Sequence, residues 1–331
     1  MRSRRACIGV VLALVIVACW AVRSTLLPVG GAATVTVRVP RGASAGKIGA
    51  ILAESRVIRS PLGFKMLAHL TGKASRLKPG AYRISGSMTP PKILDMMAKG
   101  ETCATWITIP EGFTVRQIAH RLASEKLVNE DRFLDLALHG GSSFRTGFPH
   151  PAGSLEGYLF PDTYLIAPGS SEEAIISDML VCFQRRVADG LGPGAGAGLN
   201  LHQIITLASL IEREARVSKD RPLVSAVLRN RLQRGMRLEC DATVLYALGE
   251  HKERVFYRDL EVDSPYNTYR NAGLPPGPIA NPGLACIRAA VNPARADYLY
   301  YVARPDGSHI FSRTLEEHNR AKQIARREAG R

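Results

Sequence analysis

Hydrophobic and polar positions follow one pattern in two segments seventy residues apart, VRVPRGASAGKIGAILAESRVI from Val37 and ITIPEGFTVRQIAHRLASEKLV from Ile107. Each segment opens with alternating apolar and polar residues that stop at a proline, which predicts a short strand. A glycine follows, and then Ser44 or Thr114 stands where a helix N-cap belongs. Apolar residues spaced four apart then predict an amphipathic helix. The repeated unit is therefore a strand, a turn and a helix.

Helical periodicity recurs along the rest of the chain. Between the repeats, LKPGAYRISGSMTPPKILDMMAKG predicts an extended segment and a helix that begins near Pro91 and ends at Gly100. Later helices are predicted in EEAIISDMLVCFQRRVADGL, after an N-cap at Asn200, and from about Arg221 to Arg234. The segments DYLYYVA and HIFS predict two strands. The pattern as a whole indicates an α+β protein.

The N-terminus has the pattern of a membrane-directing segment. Three arginines precede seventeen uncharged residues, Ala6–Val22, and Arg23 closes the run. A helix of this length spans about 25 Å, at the short end for a transmembrane anchor. A cleaved signal peptide is one alternative, and a lipoprotein signal ending at Cys19 is another. In each case the positive-inside rule places the N-terminus in the cytoplasm and the rest of the chain outside.

Composition adds a constraint on partners. The 331 residues include 44 Lys and Arg against 29 Asp and Glu, a net charge of +15, which indicates an acidic partner surface. Export argues against nucleic acid as that partner. Outside the first 25 residues, the four cysteines Cys103, Cys182, Cys240 and Cys286 form no CxxC pair. This spacing argues against a zinc site, predicts no metal, and leaves disulfides open.

Two glutamates interrupt the apolar run of ASLIEREA. In a helix, Glu212 shares a face with Ile205 and Ala208, while Glu214 shares one with leucines. A carboxyl group on a partly apolar face is desolvated, which suits a general acid near neutral pH. The structural alternative is a simple ion pair between Glu212 and Arg216, one turn further on.

The last third of the chain is rich in residues that suit a sugar-binding cleft, because amides and hydroxyls bind sugar hydroxyls and aromatic rings bind their C–H faces. The candidates are Asp241, Thr243, Tyr266, Asn267 and Tyr269. Each of these residue types is more often structural than functional. The chain has no HExxH, no Walker loop and no GxSxG, so carboxylate chemistry remains.

Several motifs together resemble the YceG-like endolytic murein transglycosylases: IPEGFTVRQIA, LEGYLFPDTY, LASLIEREA, RLQRGMRLECDATVLYALG, SPYNTYRNAGLPPGPIANPG and HIFSRTLEEHN. The resemblance runs from about Thr34 to Ala325. It implies a membrane anchor in residues 1–25, a LysM-like module of strand and helix repeats in 26–150, and a mixed α+β catalytic domain in 151–331. The family's catalytic glutamate matches Glu212. Glu156 also lies in a family motif, and with Glu214 it joins the substrate-binding candidates.

The resemblance further implies a periplasmic lyase, held in the inner membrane, that needs no metal or cofactor. Its substrate would be peptidoglycan glycan strands, and peptidoglycan synthases are candidate partners. In such a lyase the C6 hydroxyl of N-acetylmuramic acid attacks its own C1, so that one glutamate serves first as acid and then as base. The alternative is a membrane-anchored protein that binds peptidoglycan without cleaving it, with the paired repeats holding the glycan.

Overall fold

The structure is a computed structural model, and it describes residues 26–40, 42–167, 169–191, 196, 198–249 and 255–330. The membrane-directing segment predicted at Ala6–Val22 lies outside these residues. Among the residues that the structure does describe, no helix combines the length and the apolar character needed to span a bilayer. The described part of the chain forms two compact units.

The first unit comprises the described residues up to Ile107 together with Leu165–Gly169. Strand β1 (Thr34–Val39) pairs antiparallel with β2 (Gly80–Ser85). The helices of this unit are α1 (Ala45–Glu54), α2 (Pro61–Leu70) and α3 (Pro90–Lys99). Apolar side chains from all five elements form one buried core, whose largest members are Tyr82, Phe64, Ile48, Leu52, Ile84, Ile93, Leu94 and Met97.

The second copy of the repeat follows the same backbone path. Strand β3 (Thr105–Thr108) leads into helix α4 (Val115–Ser124) and then α5 (Glu130–His139). Strand β3 pairs with β4 (Thr163–Ile166), and the division between the two units passes through both strands. Each copy is therefore a strand, two helices and a pairing strand, an extension of the strand, turn and helix that the sequence predicted.

Matching positions of the two copies also share unusual backbone angles. Gly42 and Gly112 both have positive φ, and so do the non-glycine residues Arg56 (φ 56°) and Lys126 (φ 58°). Positive φ is uncommon outside glycine, so its recurrence seventy residues apart shows that the helices end in the same way. The repeat is thus a structural duplication as well as a sequence pattern.

The second unit comprises Thr108–Tyr164 and Ser170–Arg331. Beyond the repeat it contains α6 (Glu172–Arg186), α7 (Leu201–Glu214), α8 (Arg221–Gln233), α9 (Asp241–Leu248), α10 (Leu284–Val291), β5 (Tyr300–Ala303), β6 (His309–Ser312) and α11 (Leu315–Ala329). Helix α7 is central because it packs most extensively against α10 and also contacts α8 and α9. Strands β5 and β6 form an antiparallel pair.

The α+β fold class is confirmed in a form that is mostly helical, and in the described part of the chain the strands occur only in two-stranded pairs. The helices predicted around Pro91, after Asn200 and from Arg221 are all present. Asn200 forms the expected capping box at the start of α7. The predicted division at residue 150 stays a prediction, as does the LysM-like character of the repeats. The four cysteines beyond the N-terminal segment are free thiols.

Candidate active site

Glu212 lies in the last turn of α7 and points toward the start of α10. Its side chain is only 8% exposed, and its Oε1 lies 4.0 Å from Nη2 of Arg221. Its Oε2 accepts a hydrogen bond of 2.8 Å from the backbone N–H of Gly283, the N-cap residue of α10. The ion pair is thus with Arg221 of α8, not with Arg216 on the same helix as the structural alternative supposed.

Two more groups border the Glu212 carboxyl. The Cys286 thiol hydrogen-bonds to it, and burial together with the negative charge of Glu212 raises the pKa of that thiol, so the thiol keeps its proton. Glu111, in the turn before α4, is an exposed residue whose carboxyl is close enough to interact with that of Glu212. Burial and the charge of Glu212 raise the pKa of Glu111, and Arg221 opposes this shift. Glu212 therefore faces one cation, a thiol and a second carboxyl.

Sequence reasoning missed Glu111. Its signal was a difference between the repeats: the residue between proline and glycine is Arg41 in the first copy and Glu111 in the second. The two turns otherwise match, so this reversal of charge marks a position at which the second repeat can differ in function from the first. The sequence alone could not show that this turn lies beside Glu212.

Glu156 is fully enclosed, at 3% exposure. Its Oε1 accepts hydrogen bonds of 3.0 Å from the Val115 N–H and from Nδ2 of Asn281. The Tyr246 hydroxyl lies 3.4 Å from its Oε2. Burial raises the pKa of Glu156 to about 8, although these hydrogen bonds oppose the shift. A buried carboxyl of this kind holds its proton at neutral pH.

Asn281 connects the surroundings of Glu156 to those of Glu212. This fully buried residue receives a hydrogen bond of 2.9 Å from the Leu159 N–H at its Oδ1. Its backbone C=O accepts a bond of 2.9 Å from the Gly112 N–H, and its backbone N–H donates to the Phe113 C=O at 2.8 Å. Asn281 thereby fixes the turn that carries Glu111 against the segment that carries Gly283.

Glu156 also lines a cavity of about 480 Å³, whereas Glu212 does not. The polar lining residues are Thr114, Arg116, Gln117, Glu156, Arg213 and Tyr246. A second cavity of about 540 Å³ includes Arg221, the ion-pair partner of Glu212, and Arg288. Both cavities therefore present guanidinium groups, which suit an anionic ligand.

Glu214 belongs to a third cluster with Asp241, Tyr269 and Tyr301. The Tyr269 hydroxyl donates a hydrogen bond of 2.6 Å to Oδ1 of Asp241. Burial and the charge of Asp241 raise the pKa of Glu214 to about 7, and hydrogen bonds from Tyr301 and the Ala242 N–H oppose the shift. The structure thus places Glu214, Asp241 and Tyr269 together.

Three other candidates from the sequence have partners within the protein. Thr243 is buried, donates to the Cys240 C=O at 2.7 Å and contacts the Thr268 hydroxyl at 2.9 Å. Asn267 is also buried, and its Nδ2 donates to two backbone carbonyls. Tyr266 is half-buried, with its ring 4.9 Å from that of Tyr246 beside Glu156. Their role in substrate binding stays a prediction.

Comparison with known proteins identifies the family of this chain. The model of the YceG-like family matches residues 37–324, so the chain belongs to the YceG-like family. It is 39% identical over 307 residues to the endolytic murein transglycosylase of Bacillus subtilis, covering 88% of this chain and 84% of that protein. It is 31% identical to the protein of that name in Streptococcus pneumoniae, covering 90% of this chain and 60% of the relative.

A solved structure gives the same result. The crystal structure of a yceG-like protein from Listeria monocytogenes matches with a TM-score of 0.58 and 37% sequence identity. The match covers 88% of this chain and 99% of the Listeria chain. The family assignment made from the motifs is confirmed. Among the described residues, no group of three or more His, Cys, Asp or Glu side chains is placed to hold a metal ion.

Proposed function

We propose that this protein is an endolytic peptidoglycan lytic transglycosylase, which cleaves the β-1,4 bond between N-acetylmuramic acid and N-acetylglucosamine and leaves a 1,6-anhydro end. The relatives from Bacillus and Streptococcus carry the name of this activity. The observation that carries the proposal is the setting of Glu212, a carboxyl at 8% exposure beside Arg221. The resemblance of LASLIEREA to the family's motif implies that this position holds the catalytic acid.

The geometry suits a general acid. A carboxyl that is nearly withdrawn from water can give its proton to the leaving glycosidic oxygen without competition from solvent. The Gly283 N–H bonds one oxygen of Glu212 and so fixes the orientation of the group. The arginines of the two neighbouring cavities match a substrate that carries carboxylates in its peptide stems. Termination of strand elongation is the role that this cleavage would have.

The test is Glu212→Gln in the full-length chain, incubated with purified sacculi. The amide keeps the shape of the side chain but cannot exchange a proton, so release of anhydro-muropeptides should fall by about 10²- to 10⁴-fold. The exposed Glu125, mutated to Gln, is the matched control. Glu214→Gln and Glu156→Gln should lose less. Mass spectrometry distinguishes 1,6-anhydro ends from the reducing ends of a hydrolase, and wild-type turnover by Glu212→Gln would refute the assignment.

For localisation we propose a single-pass anchor at Ala6–Val22 in the inner membrane, with the catalytic region in the periplasm. The three arginines before the apolar run support this orientation. Cys19→Ser should leave membrane attachment and apparent mass unchanged, as measured by fractionation and intact-mass spectrometry. Loss of a lipid-sized mass increment in the variant would establish the lipoprotein alternative.

A further inference from the structure

Helix α2 of the first unit has an apolar outer side. Leu62, Met66 and Leu70 follow one another at a spacing of four residues, so they lie along one side of the helix. Their exposed fractions are 64%, 55% and 82%. The buried Phe64 and Ala68 lie on the opposite side, against the core. We call Leu62, Met66 and Leu70 the α2 face, and a contiguous apolar patch of this kind marks a contact surface.

The second repeat shows that the fold does not require this face to be apolar. Ser60 caps α2 and Asn129 caps α5, and a buried Phe and a buried Ala follow each cap at the same spacing. The α2 face therefore corresponds to Asp131, Asp135 and His139 of α5, which are all exposed. The duplicated helix has the same buried side and a polar outer side. The apolar character of the α2 face thus has a cause other than folding.

The start of α2 is connected closely to the predicted membrane segment. The apolar run ends at Val22 and Leu26 follows after three residues, so even a fully extended chain separates the two by at most about 14 Å. The headgroup layer on each side of a bilayer is about 5–7 Å thick. Arg59, the residue before the N-cap of α2, donates hydrogen bonds to the C=O groups of Leu27 at 3.2 Å and Val29 at 3.1 Å. The residues that follow the apolar run are therefore bound to the start of α2.

The first unit also has a charge that suits an anionic surface. Residues 26–107 contain 12 Lys and Arg against 3 Asp and Glu, a net charge of +9, which is more than half of the +15 of the whole chain. Exposed basic residues adjoin the α2 face, because Arg56 and Arg59 precede the helix and Lys65 lies on it. Apolar and basic side chains next to each other are typical of a helix that lies on an anionic bilayer.

We propose that the α2 face, together with the exposed Leu26 and Leu27, docks on the surface of the phospholipid bilayer that holds the anchor, with Lys65 at the anionic headgroups. This inference goes beyond the proposed function and rests on the proposed anchor. A few apolar side chains bind a bilayer weakly by themselves. Because the anchor keeps the face at a high effective concentration near the surface, a weak contact is sufficient.

The experiment measures contact between the α2 face and acyl chains in the full-length chain, reconstituted in vesicles of phosphatidylethanolamine and phosphatidylglycerol. The two native tryptophans, Trp20 and Trp106, are replaced by Phe, and Met66→Trp supplies the reporter. Lipids brominated on their acyl chains quench a tryptophan that they contact. The reporter should emit at shorter wavelength than in water and should lose about half of its fluorescence or more in brominated vesicles, because a docked apolar face reaches the boundary of the acyl chains.

Asp135→Trp in the same background is the matched control, since it places the reporter at the equivalent position of the second repeat. It should emit as a tryptophan in water and show no quenching. Leu62→Ser combined with Leu70→Ser should release the reporter of Met66→Trp from the lipid. Phosphatidylcholine in place of phosphatidylglycerol should also reduce its quenching. Leu70→Trp, at the most exposed of the three positions, repeats the measurement with a second reporter.

Reporters at positions 66 and 70 that stay unquenched and emit as in water, in a chain that floats with the vesicles, would overturn the proposal. So would a reporter with short-wavelength emission but no quenching, since a second copy of the chain or another protein then covers the face. Equal quenching of Met66→Trp and Asp135→Trp would refute it as well, because it means unspecific adsorption. A chain that does not float refutes the anchor and this inference together, whereas formation of anhydro ends by the same preparation tests the proposed function independently.

Discussion

At the residue scale, the three candidate glutamates have different surroundings. Glu212 lies beside Arg221, accepts a hydrogen bond from a backbone N–H and has only 8% of its side chain exposed. Glu156 is buried and accepts hydrogen bonds from neutral groups, and burial raises its pKa to about 8, so it keeps its proton at neutral pH. Glu214 is intermediate, with a pKa of about 7 beside Asp241. Their chemistry follows from their neighbours, and periodicity along α7 could not separate Glu212 from Glu214.

The buried Glu156 predicts a pH dependence of stability. Its pKa is raised from 4.5 to about 8 in the folded state, so the folded protein retains a proton that the unfolded chain releases. The resulting stability is fully present below pH 4.5 and is lost as the pH rises toward 8. One proton gives a slope of at most about 1.4 kcal/mol per pH unit. Urea midpoints between pH 5 and pH 8 measure this loss.

Glu156→Gln tests the assignment, because its amide oxygen can still accept from Val115 and Asn281 while the side chain stays neutral at every pH. The variant should lose this slope. Glu214→Gln is the matched control, since it should flatten only the part of the curve below about pH 7. An unchanged pH dependence in Glu156→Gln would mean that Glu156 is ionised in the folded protein.

At the element scale, the sequence predicted the strands, helix caps and turns, which depend on residues close together in the chain. The alternation of apolar residues, the caps at Ser44 and Thr114, and the glycine turns define the two repeats, and the structure reproduces each of them. Capping at Asn200 likewise identified the start of α7. These features depend on neighbours within a few residues, so one sequence was sufficient to find them.

The candidate site depends on contacts between distant elements, and there sequence reasoning was incomplete. Glu111 lies 101 positions before Glu212, and Asn281 lies 125 positions after Glu156. No periodicity connects such pairs. Thr243 and Asn267 entered the candidate list because of their residue types, yet their hydrogen bonds are internal. Residue type indicated polar chemistry in the last third, and only packing could assign each polar group a partner.

At the scale of the whole molecule, the second repeat and the Glu212 region lie in the same compact unit. A boundary at residue 150 would separate Glu111 from Glu212 and would leave Glu156 without the Val115 N–H. It would also remove Ile118, Leu122 and Phe133, all 0% exposed, from the core. Each buried polar group that loses its partner costs about 1–3 kcal/mol, and each large apolar side chain costs about as much or more.

We therefore expect a fragment of residues 104–331 to unfold in one cooperative thermal transition, and a fragment of residues 152–331 to show none. Circular dichroism with a temperature ramp measures both. The result also decides how glycan docking by the repeats must be tested. If removal of both repeats unfolds the protein, the loss of binding reports unfolding and not the loss of a glycan-binding surface. Sacculus binding by a fragment of residues 26–331 should instead be compared with that of the 104–331 fragment, because both lack the apolar N-terminal segment and they differ by the first repeat. A cooperative transition in the 152–331 fragment would show that the second repeat is dispensable for folding, contrary to the contacts of Glu156 and Asn281.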